Sequence, residues 1–199
     1  MGVLTDFFIA NDQELSEVCR GWKRPAPVMG HFRTFEAINP FTGQPLTGRT
    51  RSNPDQPMPD PDAVTDCDFS SLPSINQKGI LTGEIANLAS VLMDWDYENA
   101  SEEVHGRALV GPRCEQTVCE MHPEILARLA ALSPEEITRY GTDWSNRQRE
   151  EAKTIENDYW RQQELGRPDS EWISRLTEIA SLAKQAVASS RSMFMWMCP

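Results

Sequence analysis

Two histidines and two cysteines fall within one stretch of the sequence, HGRALVGPRCEQTVCEMH, at residues 105–122. Imidazole nitrogens and thiolates are ligands that zinc prefers, so His105, Cys114, Cys119 and His122 are a candidate zinc site. Their spacing argues against it, because four residues separate the cysteines and structural zinc sites usually have only about two. The alternative interpretation is that these are ordinary, partly buried side chains beside the start of a helix.

The same residues allow a catalytic interpretation. Cys119 and His122 could act as a nucleophile and its base, and a thiol- or metal-dependent enzyme centred on Cys114, Cys119 and His122 is the second functional hypothesis. The pair would share a face of a helix, but Pro123 predicts that a helix begins there, and spacing alone does not lower the pKa of a thiol. The sequence contains no glycine-rich phosphate loop, GxSxG elbow or HExxH motif, so we assign no catalytic residue.

Residues 93–103, MDWDYENASEE, interleave carboxylates with two aromatic side chains. The order of acids resembles the start of a calcium loop, but Asn99 stands where that loop needs glycine and His105 where it needs glutamate. Two interpretations remain: a helix end that runs into a solvated acidic loop, or a patch that docks a basic protein. In the second, the aromatic rings supply contact area and the carboxylates steer association. The candidate partner-binding residues are Asp94, Trp95, Asp96, Tyr97, Glu98, Glu102 and Glu103.

Charge and composition narrow the class of partner. Residues 1–56 carry six Lys/Arg and six Asp/Glu, so the whole formal net charge of −11 comes from residues 57–199. A surface of that sign repels nucleic acids and anionic lipids and attracts basic proteins, so we expect no nucleic-acid partner. No apolar run approaches the roughly 20 residues of a membrane span. An odd number of cysteines, five, with no export signal predicts reduced thiols in a cytoplasm.

The local patterns that must position these residues predict one α+β domain over residues 1–199. VLTDFFIAN is a candidate first strand, Asn11 a candidate cap for a short helix, and residues 32–46 a candidate hairpin. A Pro-rich loop insert follows the first part of that hairpin, at about residues 39–66. Most of the remaining chain has helical patterns, giving four to six helices. We expect them to cover a small sheet that contains the N-terminal strand, the hairpin and a C-terminal buried strand.

The helical half carries several start signals and one long charged run. Pro123 and the LSPEEI capping box at Ser133 predict two helix starts, and residues 143–165 predict one long charged helix. The last helix, about residues 170–189, has a stripe through Trp172, Leu176, Ile179, Ala183 and Ala186, widened by Val187. The apolar run Met193–Cys198 then predicts a strand buried on both faces in the interior of the sheet, and a partner-binding tail is the alternative.

Three parts of the chain, residues 1–9, 122–140 and 172–198, are similar to small bacterial cytosolic proteins of unknown function, including YfbM-like domains. The shared features are the helix HPEILARLAALSPEEI, a following polar helix, an amphipathic helix and a terminal aromatic strand. The resemblance implies an α+β fold, brings no known activity and transfers no catalytic residue. The Pro-rich insert and the cysteines match no pattern of that family.

The leading functional hypothesis is a protein-interaction module whose acidic surface binds a basic bacterial protein. An immunity- or antitoxin-like inhibitor is its concrete form. The enzyme centred on the Cys/His group and a structural subunit of a larger assembly are the alternatives. The oligomeric state stays open.

Overall fold

The computed structural model describes residues 4–22, 33–38, 45–50, 67–77, 80, 82–96, 100, 105–111 and 116–198. Seven strands lie in this part of the chain: β1 Leu4–Ala10, β2 Arg33–Ile38, β3 Pro45–Thr50, β4 Ser74–Asn76, β5 His105–Val110, β6 Thr117–Met121 and β7 Ser192–Cys198. Six helices accompany them: α1 Asp12–Val18, α2 Thr82–Met93, α3 Pro123–Ala130, α4 Pro134–Ala152, α5 Asp158–Leu165 and α6 Asp169–Ala188. The predicted α+β fold is confirmed.

Five of these strands form one antiparallel sheet in the order β4-β1-β7-β6-β5. The first and last strands pair along their full length, from Leu4 opposite Cys198 to Ala10 opposite Ser192. The predicted hairpin is present as β2 and β3, but within the described residues these strands pair only with each other. The strands that complete the sheet are β4, β5 and β6, which the sequence patterns did not mark.

Strand β7 is interior, because β1 and β6 flank it, and its side chains enter two separate apolar layers. Met193 and Met195 lie with Phe7 and Ile9 in what we call the helix-side core. Phe194 lies on the other face with Phe8, in the α1-side core. Both faces are buried, so the prediction of a two-sided core strand is confirmed. Each fully buried side chain of this size stabilises the fold by roughly 1.5–3 kcal/mol.

Helices α2, α3, α4 and α6 cover the helix-side core, and the stripe predicted for the last helix points into it. Trp172 packs edge-to-face on Trp144 of α4, with ring centroids 4.7 Å apart. Trp144 is fully buried, and its indole Nε1 donates a hydrogen bond of 2.8 Å to the Glu84 carbonyl of α2. One stripe residue was predicted wrongly: Val187 is 52% exposed, because it lies on the solvent side of the last turn of α6.

Both predicted capping signals are present. Asn11 forms a capping box with Glu14 at the start of α1, and Ser133 forms one with Glu136 at the start of α4. These caps satisfy backbone N–H groups that the first helical turn leaves without partners.

The prediction of one long charged helix over residues 143–165 is wrong. Helix α4 already begins at Pro134 and ends at Ala152, and α5 begins only at Asp158. After Ala152 the backbone N–H groups of Lys153, Thr154 and Ile155 each donate to the carbonyl three residues back, which tightens the last turn and ends the helix. The Thr154 hydroxyl also donates to the Glu151 carbonyl. Helical charge patterning does not register this change in hydrogen bonding.

Candidate functional site

The acidic candidate segment begins where α2 ends. Asp94 has a left-handed backbone, with φ of 55°, and turns the chain away from the helix. The half-buried Trp95 packs against the helix-side core, and its backbone N–H donates to the Ser90 carbonyl at 3.2 Å. Asp94 and Asp96 on either side of it are exposed. Trp95 therefore anchors the segment to the protein's own core. The sequence pattern instead predicts that its ring supplies contact area for a partner.

The contact of Trp95 with His122 brings a second element to this place. The two rings meet edge-on, with centroids 6.3 Å apart. His122 caps helix α3, where its Nδ1 accepts a hydrogen bond of 3.3 Å from the backbone N–H of Glu124. The side chain of Glu124 is exposed in the first turn of α3. We call Asp94, Trp95, Asp96, His122 and Glu124 the acidic junction.

Sequence reasoning missed Glu124, and assigned His122 to a different site. The link between the two segments is a ring contact between residues far apart in the chain, which no local spacing reveals. The other candidate residues of this group lie outside the described residues: Tyr97, Glu98, Glu102 and Glu103.

Basic side chains of the described region are largely engaged in internal ion pairs, which leaves much of the acidic charge without compensation. Eight Lys and Arg side chains pair with carboxylates in this region. Arg128, the basic residue of the last turn of α3, pairs with Glu136 and bonds the Tyr140 hydroxyl at 2.7 Å. No described cation forms an ion pair with Asp94 or Glu124. These two carboxylates are therefore available to an external cation.

Three of the candidate zinc and thiol residues, His105, Cys119 and His122, lie on or directly after strands β5 and β6. His105 pairs with Met121 across the two strands, and Cys119 pairs with Ala108. Cys119 is buried, and that burial raises the pKa of its thiol to about 11, so it is protonated at neutral pH. Cys114 and the side chain of His105 lie outside the described residues.

The described members of the Cys/His group therefore have visible structural roles. His122 caps a helix and contacts Trp95, and a protonated, buried Cys119 is a poor nucleophile. Among the described side chains, no group of three or more His, Cys, Asp or Glu residues could hold a metal ion.

A groove of about 270 Å³ lies on the other side of the sheet, between α1 and β5. Cys19, Arg20 and Arg107 are among its lining residues. Arg107 is held by Asp12 at 2.6 Å and by Glu120 at 3.0 Å, and these bonds raise its pKa. The groove therefore has a fixed cation in its wall.

Comparison of the chain with protein-family models, curated proteins and solved structures gives no match. The resemblance to YfbM-like domains accordingly stays a prediction. Among the helices of the described ranges, none combines the length and the apolar character needed to cross a bilayer. The class that the structure defines is an α+β domain with an antiparallel sheet covered by helices.

Proposed function

We propose that the chain is a protein-interaction module that binds a basic protein through the acidic junction and the neighbouring residues Tyr97, Glu98, Glu102 and Glu103. In its concrete form it is a cytoplasmic, immunity- or antitoxin-like inhibitor of a basic bacterial protein. One observation carries the proposal: Asp94 and Asp96 are exposed on either side of a tryptophan that packs against the core.

Anchoring matters because ordering a flexible segment costs free energy on binding. The left-handed backbone at Asp94 and the packing of Trp95 already fix the direction of the chain at this point. Glu124 adds a carboxylate from α3, a different element with its own cap at His122. A basic partner would thus meet carboxylates on a preorganised backbone, and binding would cost less conformational entropy.

The net charge acts at longer range. A formal charge of −11 attracts a basic protein over a Debye length of about 8–10 Å at physiological salt and raises the association rate. The same charge disfavours nucleic acid as the partner. The proposal therefore requires binding that weakens steeply as salt rises.

Charge reversal with a matched control tests it. The junction variant combines Asp94→Lys, Asp96→Lys and Glu124→Lys. The control variant combines Glu17→Lys, Asp143→Lys and Glu156→Lys, which makes the same change in net charge at exposed positions outside the acidic junction. Wild type and both variants are used for affinity capture from host lysate, and the captured protein is then purified and titrated.

We expect the junction variant to weaken binding about tenfold or more, because three reversed contacts each cost up to about 1 kcal/mol. The control variant should change the affinity much less and show a similar salt dependence. Equal losses in the two variants would mean that only net charge matters and that the junction is not the binding site. A partner that is not basic would end the proposal as well.

A further inference from the structure

Two cysteines distant in sequence meet beneath α1. The sulfur atoms of Cys19 and Cys67 lie 3.5 Å apart, and both thiols are free. Cys19 is the residue that ends α1, with its backbone N–H bonded to the Leu15 carbonyl. Cys67 lies in the irregular segment that precedes β4. The sulfurs are therefore in direct contact although 47 residues separate them in the chain.

The surroundings hold this pair in place. Cys19 belongs to the α1-side core, and Cys67 and Phe69 pack against it. Phe69 stacks on Phe8 with ring centroids 4.9 Å apart, which fixes the segment two residues after Cys67. A disulfide needs its sulfurs about 2.05 Å apart, so they must approach by roughly 1.5 Å. Cys67 lies in irregular backbone, so it can make that movement while α1 stays in place.

Access to the pair comes from the groove between α1 and β5. Cys19 lines that groove together with Arg20 and Arg107. Arg20 is exposed and has no ion pair among the described residues, so its guanidinium is available to an anion. A small disulfide that carries carboxylates, such as glutathione disulfide, has groups that the Arg20 guanidinium can bind at this approach.

We propose that Cys19 and Cys67 are a redox pair that a low-molecular-weight disulfide converts to an intramolecular disulfide. In the first step the thiolate of either cysteine attacks one sulfur of the small disulfide, whose S–S bond breaks and releases one small thiol. In the second step the thiolate of the other cysteine attacks the sulfur that carries the adduct and expels the second small thiol. In total, two protein thiols are oxidised, and one small disulfide is reduced to two thiols that take up the two protons.

The contact between the sulfurs disfavours ionisation of both thiols at once. The hydrogen bond to Cys19, followed by burial and by the charges of Cys19 and Asp68, raises the pKa of Cys67. Once one sulfur is joined to the small thiol, it no longer carries a charge that opposes ionisation of the other.

Oxidation would tie the end of α1 to the segment before β4. The covalent loop would enclose residues 20–66, which include the β2–β3 hairpin and the Pro-rich insert. The bond would thus constrain the part of the chain between α1 and the segment that precedes β4. The pair is a redox-responsive link, independent of the acidic junction.

The full-length protein is exposed to buffers of defined ratio of reduced to oxidised glutathione, quenched with acid and digested with trypsin. Cys19 and Cys67 fall in tryptic peptides 1–20 and 52–78, neither of which contains another cysteine. We expect a linked pair of these two peptides, a loss of two hydrogen atoms from the intact mass, and reversal by dithiothreitol. The Cys119→Ala variant is the control and should oxidise as wild type does.

The Cys67→Ser variant should stop at the mixed disulfide on Cys19, seen as the mass of one added glutathione. Linkage of other cysteines would overturn the proposal. So would a persistent glutathione adduct on wild-type Cys19, or unmodified peptides 1–20 and 52–78 under the most oxidising buffer. The mapping of wild type decides the question by itself if the variant fails to fold.

Discussion

Substitution of one glycine tests the packing of the two longest helices. Gly141 is buried in α4 where that helix meets α6. A Cβ atom at this position would lie 2.8 Å from Cα and 2.8 Å from Cγ1 of Ile173, and 3.2 Å from its backbone nitrogen. Carbon atoms pack best at about 3.5–4.0 Å, and backbone atoms cannot rotate away as a side chain can. Gly141→Ala therefore requires the helices to separate.

The expected sign is opposite to the usual one for a helix. In a helix interior, replacing glycine by alanine normally gains about 1 kcal/mol. Overpacking of a close helix contact costs about 1–3 kcal/mol. We expect a value in the upper half of that range, because backbone atoms of Ile173 cannot rotate away from the new Cβ. We expect a net loss of about 1–2 kcal/mol in the free energy of unfolding, since the propensity gain offsets only part of the clash. The melting temperature should fall by roughly 2–8 °C.

The assay is urea unfolding of wild type and Gly141→Ala, followed by circular dichroism. Ser181→Ala is the control, because Ser181 is exposed on α6 and this change should be neutral or slightly stabilising. Ile173→Ala removes Cγ1 and leaves Cα and N in place, so the double variant should recover part of the Gly141→Ala loss. A Gly141→Ala protein as stable as wild type would refute the close approach of these helices.

Three further changes probe single interactions by the same unfolding assay. Trp144→Phe should cost about 1–3 kcal/mol, because it removes a buried hydrogen bond to an α2 carbonyl, and an unchanged stability would refute that bond. Ser133→Ala should cost about 1 kcal/mol and Ser133→Asp much less, since aspartate also caps; equal losses would contradict the cap. Hydrogen bonds from Ser145 and then Arg149 lower the pKa of Asp169 below its ordinary value. The contribution of Asp169 to the free energy of unfolding is therefore present above about pH 4 and lost as the pH falls through the lowered pKa. The Asp169→Asn variant should be less stable than wild type at pH 7 and equally stable in acid.

Short-range signals in the sequence predicted their elements well. The capping boxes at Asn11 and Ser133 each need residues three apart, and both helices begin where the signal predicts. The terminal run Met193–Cys198 was predicted as a two-sided core strand because a continuous apolar run cannot leave one face in water. Both of its faces are covered in the structure. These features depend on residues that are close along the chain, so they can be predicted from the sequence.

The features that were missed depend on partners distant in the chain. Strand β4 has only three residues, and its own pattern is too short to identify it; it exists because β1 offers a free edge to pair with. The helix break after Ala152 depends on backbone hydrogen bonds to carbonyls three residues back, within a run of charges that otherwise favours a helix. A propensity summed over a window of residues does not detect such a local change.

Both proposed sites bring together residues that are distant in the sequence. Trp95 meets His122 because α2 and α3 lie side by side on the sheet, and this contact joins the residues that follow α2 to the cap of α3. Cys19 meets Cys67 because α1 and the segment before β4 cover one face of β1. In each case the sequence supplied the right residue types, and the topology decided which of them are neighbours. The His105–His122 group shows the converse: its members are close in sequence, but the described ones serve a helix cap and a strand interior, so proximity along the chain did not create a site.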